Sequence, residues 1–192
     1  MTRDSFCHTR SVGATLYHLL LGSRFGDLPE PVAQILTGHE RVARGTCEIR
    51  RGAGLLSRLL GWALGLPPAG TALPARLLIR PEGDGEIWQR HMGDETLITR
   101  QRPHRDGGLE ERFGPLELAL TLELDGDVLH FRVRRAALCL LGFRLALPRA
   151  LAPKLCARTW ARDGRVQVAV TVALPIAGLL LGYECDVAME TP

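Results

Sequence analysis

Two hydrophobic periods divide the chain. Over the first forty residues apolar positions recur at helical spacing, in Ala14 to Leu21 and again in Glu30 to Thr37, with Gly38 placed to stop the second helix. Arg41 to Arg50 then alternates as a first strand. Leu55, Leu56, Leu59, Leu60 and Ala63 form an apolar stripe that predicts a third helix over 55–64, with Ser57, Arg58 and Gly61 off the stripe and Leu66-Pro67-Pro68 ending it. From Pro74 onward the period falls to two. Asp84-Gly85, Gly93-Asp94, Asp106-Gly107, Asp125-Gly126 and Asp163-Gly164 each separate runs of strand length, so the remainder reads as an antiparallel meander joined by tight turns.

Two hairpins can be tested for register. A two-residue turn at Asp125-Gly126 sets Leu122 against Leu129, Leu120 against Phe131 and Leu118 against Val133, with Glu117 meeting Arg134 on the other face. At Arg162-Asp163-Gly164-Arg165 a two-residue turn opposes two arginines, whereas a three-residue turn with a glycine bulge pairs Trp160 with Val166 and Arg158 with Val168. The bulged form is favoured. It leaves Arg158 on an apolar face, where a carboxylate partner or an anionic ligand is expected.

About ten strands with one apolar face exceed what a flat open sheet carries well. The expected fold is α+β: a strongly curved antiparallel sheet or partly open barrel, with two or three N-terminal helices covering one side. Residues 1–12 read as a flexible N-terminus and 13–192 as a single domain. A chain of 192 residues with 46% hydrophobic and 23% charged content suits one soluble globular unit.

Charge adds less than its sign suggests. Of the 24 cationic side chains all but Lys154 are Arg, cations and anions are interspersed, and only ten aromatics are present, so no nucleic-acid footprint is visible. Cys7, Cys47, Cys139, Cys156 and Cys185 show no C-x-x-C pair and read as reduced thiols, mostly buried. No signal-peptide core and no apolar stretch of ~20 residues occurs, which points to a cytoplasmic, non-integral protein.

The candidate chemistry is sparse. Arg50, Arg51, Gly52 and Gly54 precede the third helix, where an anion could sit; a plain strand-to-helix turn explains them as well. Trp88 and Arg90 share a face with Glu86 and would oppose Thr99 and Leu97, to stack on and orient a ligand or simply to pack under the helices. His39, on a loop beside the sheet, is the candidate proton-transfer group, against the plainer role of a structural histidine. No paired His/Cys spacing calls for a metal, and no cofactor is expected. The third helix, with Trp62 and neighbouring Arg50, Arg51 and Arg58, could dock on an anionic membrane, although such a stripe more commonly packs on its own sheet.

His39-x5-Gly45, Arg51-Gly-x-Gly54, Gly65-Leu-Pro-Pro-Ala-Gly70, Glu86-x-Trp-x-Arg90, Glu111-Arg-Phe-Gly-Pro-Leu116, Leu151-x-Pro153, Asp163-Gly-Arg165 and Leu174-Pro-x-x-Gly178 resemble, in that order, the bacterial family known as domain of unknown function 4166. The resemblance covers residues 20–183. It implies a domain that stands alone or is appended to a reductase similar to saccharopine dehydrogenase, and it carries no catalytic residues. After Tyr183 the chain reads Glu184-Cys185-Asp186 where the family pattern suggests a basic residue and a glycine.

The leading expectation is a non-catalytic module holding a hydrophobic small molecule with an acidic group in the curl of the sheet, lined by Trp88, Arg90, Arg158, Trp160 and Tyr183. One rival is a small enzyme using His39 for proton transfer and Arg90 for charge stabilisation. The other is a docking domain for a partner reductase.

Overall fold

The computed structural model describes residues 15–190. The segment 1–12, read as flexible, and Cys7 within it lie outside the described residues. Helix α1 (Leu16–Leu21), a 3-10 turn (Gly22–Asp27) and helix α2 (Glu30–Leu36) lead into β1 (Arg41–Arg51), which helix α3 (Leu55–Ala63) separates from β2 (Gly70–Glu82). There follow β3 (Gly85–Met92), β4 (Glu95–Pro103), β5 (Leu109–Phe113), β6 (Leu116–Asp125), β7 (Val128–Leu140), β8 (Phe143–Ala146), β9 (Lys154–Arg162), β10 (Arg165–Leu174) and β11 (Gly178–Met189).

Neighbouring strands pair antiparallel, β1 pairs with β11, and β6 pairs with β7, so the sheet closes on itself. Ten strands form the barrel, and β8 is an extra strand on the far half of β7. Closure removes the unpaired edges that an open sheet of this width would expose. The alternation places Ile79, Trp88, Leu109, Leu120, Leu129, Val166, Tyr183 and Val187 inward, where they join one core cluster with Leu16, Tyr17, Val32 and Ile35 of the helices. Each large apolar side chain buried this way is worth about 1.5–3 kcal/mol before the entropy of ordering it. Because the strands alternate in direction, one end of the barrel carries α1, α2 and the β2–β3, β4–β5, β6–β7 and β9–β10 turns. The opposite end carries α3, the tip of the β7–β8 hairpin and the β3–β4, β5–β6 and β10–β11 turns.

Four expectations are corrected. In the β6–β7 hairpin the turn is Gly126-Asp127, with Gly126 at φ +53°, so Leu122 opposes Phe131 and Leu120 opposes Val133. The displacement from the expected register is two residues, which keeps every side chain on its expected face. Beyond the bulge between Ala119 and Leu120, Leu118 opposes Ala136 and Glu117 opposes Ala137 instead of Arg134. In the β9–β10 hairpin the two-residue turn wins: Asp163 and Gly164 both take positive φ, and Arg162 opposes Arg165. That opposition of like charges is relieved because Arg162 pairs with Asp163 and Arg165 with Asp186. Thr159 and Ala161 therefore face Val168 and Val166, and Arg158 lies on the outer side, its guanidinium 4.9 Å over the Trp160 ring.

Helix α3 is turned over relative to its stripe. Ser57 and Gly61, not the leucines, are the buried positions, while Leu55, Leu59 and Trp62 face solvent. Finally, Cys47 and Cys185 stand directly opposite each other on β1 and β11 and are joined as a disulfide rather than held as free thiols.

Candidate functional site

The barrel interior brings three of the candidate residues together. Trp88 and Arg90 alternate with outward Gln89 on β3 and oppose Thr99 and Leu97, as the strand pattern implies. Tyr183 reaches the same interior from β11, where it opposes Ile49. Arg90 donates from Nη1 to Thr99 Oγ1 at 2.7 Å and from Nη2 to Glu111 Oε1 at 3.3 Å, and its guanidinium sits 5.0 Å from the Trp88 ring centre.

Tyr17 of α1 enters this interior and touches both walls, with ring centres 6.0 Å from Trp88 and 6.4 Å from Phe131. Its hydroxyl donates to Gln101 Oε1 at 2.8 Å, and Gln101 Nε2 donates to Glu111 Oε1 at 3.2 Å. Burial, reinforced by Glu86 and Glu111, holds the Tyr17 hydroxyl well above its ordinary pKa, and burial raises Tyr183 as well, so both stay neutral. Beside them Trp88 Nε1 donates to Glu86 Oε2 at 3.1 Å, and Arg41 Nη2 lies 2.8 Å from Glu86 Oε1. The interior cations are thus set against interior carboxylates, with Tyr17 of α1 in ring contact with both Trp88 and Phe131.

The arginines before α3 are likewise engaged. Arg51 donates from Nε to Leu180 O at 2.8 Å and from Nη1 to Leu66 O at 2.9 Å and Pro67 O at 2.8 Å, while burial lowers its pKa. Arg50 pairs with Glu184 on the outer face. Gly52 packs where a Cβ would strike the Leu179 carbonyl, and Gly54 stands at the N-cap of α3. This loop is a clamp between β1, α3 and β11.

His39 lies on the exposed turn between α2 and β1 and makes no side-chain hydrogen bond or ion pair with any described residue. No carboxylate there orients its ring for proton transfer. Arg158 and Trp160 stack on each other on the outer face of β9, away from Trp88, Arg90 and Tyr183.

A second site emerges where the barrel wall parts. Strand β7 pairs with β9 only over Leu129–Arg132 and with β8 only over Ala137–Leu140. Between these stretches its edge toward β9 is open apart from the Leu147 N–H bond to Ala136 O at 2.8 Å, and the segment 147–153 connects β8 to β9 without strand pairing. The result is an open cleft of about 1060 Å³ rimmed by Arg132, Arg134, Arg135, Arg144, Arg149 and Lys154, with no carboxylate in its lining. Its floor includes Val133, Ala136, Leu147 and Leu155, which pack against the barrel core.

Three of these cations are neutralised from outside, by Arg132–Glu123 at 3.3 Å, Arg135–Asp106 at 2.9 Å and Arg144–Glu117 at 2.8 Å. Arg134, Arg149 and Lys154 have no side-chain partner among the described residues. The sequence carries a signal for this cleft: residues 128–162 hold eight cationic side chains and no Asp or Glu. No long run of like charge marks it, because uncharged residues separate all of these cations except Arg134 and Arg135.

A closed antiparallel barrel of ten strands, plugged at one end and parted at one seam, defines the class of domain. The sequence profile of the family described as domain of unknown function DUF4166 matches residues 28–186, and the chain belongs to that family. No curated protein and no solved structure matches it.

Proposed function

We propose that the domain is a binding module for a hydrophobic small molecule with an acidic head, held at the cleft between β7 and β9. The observation that carries this reading is the cleft's lining: six cationic side chains and no carboxylate around a floor of core-facing aliphatic groups. An anionic head would find in Arg134, Arg149 and Lys154 donors with no other partner to release, and charge-assisted hydrogen bonds of this kind are about twice as strong as neutral ones. The exposed edge of β7 at residues 133–135 offers backbone groups as well, and an apolar tail would lie along Val133 and Leu155 toward the core.

The wall of the barrel is thus preferred to its interior as the ligand's place, and the pairing of Arg90 with Glu111 supports that preference. Titration calorimetry with dodecyl phosphate and with dodecanol tests the reading. Dodecyl phosphate is expected to bind and dodecanol to bind at least about tenfold more weakly, since losing two or more charge-assisted contacts costs over 1.4 kcal/mol. The triple variant Arg134→Glu, Arg149→Glu, Lys154→Glu is expected to lose the phosphate. Equal affinity for the two probes, or undiminished binding by the variant, would refute it.

A further inference from the structure

Most of the large apolar side chains left exposed are gathered at one end of the barrel, Leu19 of α1 and Ile98 of β4 lying elsewhere. On α3 they are Leu55, Leu59 and Trp62, with Trp62 81% exposed; on the β7–β8 hairpin they are Leu141 at 97% and Phe143 at 81%; on the β10–β11 turn there is Ile176. The pairing pattern puts all three segments at the end opposite α1 and α2. They fall on one arc of the ring, running from α3 on β11 across β10 and β9 to β7 and β8.

The orientation of α3 makes this arrangement specific. Ser57 Oγ donates to Leu179 O at 2.5 Å, and Gly61 lies against the Arg51 guanidinium, which itself holds three backbone carbonyls. The helix is fastened by its small, polar side. Its leucines and its tryptophan are consequently turned outward although an apolar sheet is near, and rotating them inward would break the Arg51 clamp.

The charge on the same arc identifies the occupant. The segments 52–69, 136–158 and 166–183, which include this end, contain no Asp or Glu, and they carry Arg58, Arg149 and Lys154, with Arg144 held by Glu117 of β6. The acidic residues Asp94 and Glu95 belong to the β3–β4 turn, on the opposite arc. Apolar tips on three separate segments, an indole among them, on stretches of chain that carry cations and no carboxylate of their own, match the layering of a lipid surface: acyl chains for the tips, anionic headgroups for the basic side chains. A protein partner would instead be met by a flatter, continuous patch with a polar rim of both signs.

We propose that the domain docks on anionic lipid bilayers by this end, inserting Leu59, Trp62, Leu141 and Phe143 below the headgroups while Arg58, Arg149 and Lys154 contact them. This goes beyond the ligand reading and stands on different residues, save Arg149 and Lys154, so the two are separable by experiment.

The test is co-sedimentation and tryptophan emission with vesicles of phosphatidylcholine, alone or mixed with phosphatidylglycerol. The protein is expected to bind the phosphatidylglycerol vesicles, to release them as salt is raised from about 0.1 to 0.5 M, and to shift its emission to the blue on binding. Trp62→Phe should abolish that shift while keeping binding, because Trp88 is already buried and Trp160, stacked with Arg158, sits near the β9–β10 turn at the opposite end. The triple variant Leu59→Ser, Trp62→Ser, Phe143→Ser should lower partitioning by at least about tenfold with an unchanged far-ultraviolet spectrum and thermal midpoint, since each removes apolar area that only lipid would cover. It should leave dodecyl phosphate binding at the cleft intact. No binding to phosphatidylglycerol vesicles, binding unaffected by the triple variant, or a dimer in solution that the same substitutions dissolve would overturn the proposal.

Discussion

Gly61 of α3 and Arg51 of β1 share a space that admits only one of a Cβ and a guanidinium: a methyl at position 61 would overlap Arg51 Nη2. The guanidinium cannot retreat without leaving the carbonyls of Leu180, Leu66 and Pro67. This contact decides which side of α3 meets the barrel, and so which residues the barrel presents at that end.

Gly61→Ala is accordingly expected to destabilise the domain by about 1–3 kcal/mol, the usual cost of overpacking a fixed contact, although alanine is the better helix former. Urea unfolding followed by circular dichroism checks this. A neutral or stabilising result would mean that Arg51 is free to move.

A buried ion pair gives a second expectation. Arg41 and Glu86 are 3% and 5% exposed at their side chains, with Arg41 Nη2 and Glu86 Oε1 2.8 Å apart, and the guanidinium nitrogens lack a well-aligned acceptor. Glu86→Leu strands the Arg41 charge and should cost about 3–5 kcal/mol; adding Arg41→Met should recover most of that loss. The same unfolding measurement on the single and double variants reports it.

Acid sensitivity is expected at the Glu117–Arg144 contact beside the cleft. Burial pushes the Glu117 carboxyl up, but the hydrogen bond and charge of Arg144 more than offset it and hold the group below its ordinary value. A carboxyl depressed in the folded state contributes stability that is present above its unfolded pKa and lost as pH falls through the folded one. Stability should therefore fall as pH is lowered from about 5 toward 3, with a shallower slope in Glu117→Gln. Thermal midpoints across that range, for both proteins, are the check.

The cysteines give a covalent expectation. Alkylation of the unfolded chain without reductant should leave Cys47 and Cys185 unmodified, and both should react after reduction, as read by peptide mass spectrometry. Modification of both without reductant would remove the disulfide from the fold.

The strands, and the side-chain faces of all but β9, were legible in the sequence because alternation and Asp-Gly turns are local signals. Trp88 and Arg90 could be set against Thr99 and Leu97 from the Gly93-Asp94 turn alone. The β6–β7 register was not, because Asp125-Gly126 and Gly126-Asp127 both make acceptable turns and both keep leucine against apolar partners. At Arg162 and Arg165 local repulsion argued for a bulge, and the relief came from Asp186, a strand away. The α3 stripe announced an apolar face but not its direction, which Ser57 and Gly61 determine through contacts with β11 and Arg51. The cleft was hidden for the same reason: β7, β8 and β9 part company in space, and only the acid-free stretch 128–162 marks the place along the chain.

Amide hydrogen exchange with and without dodecyl phosphate locates the ligand most directly. Slowed exchange confined to residues 132–136 and 147–156, at the edge of β7 and the facing segment, is the expected result. Protection centred instead on β3 and β4 around Trp88, Arg90 and Thr99, with β7 and β9 unchanged, would place the ligand inside the barrel and contradict a binding site in its wall.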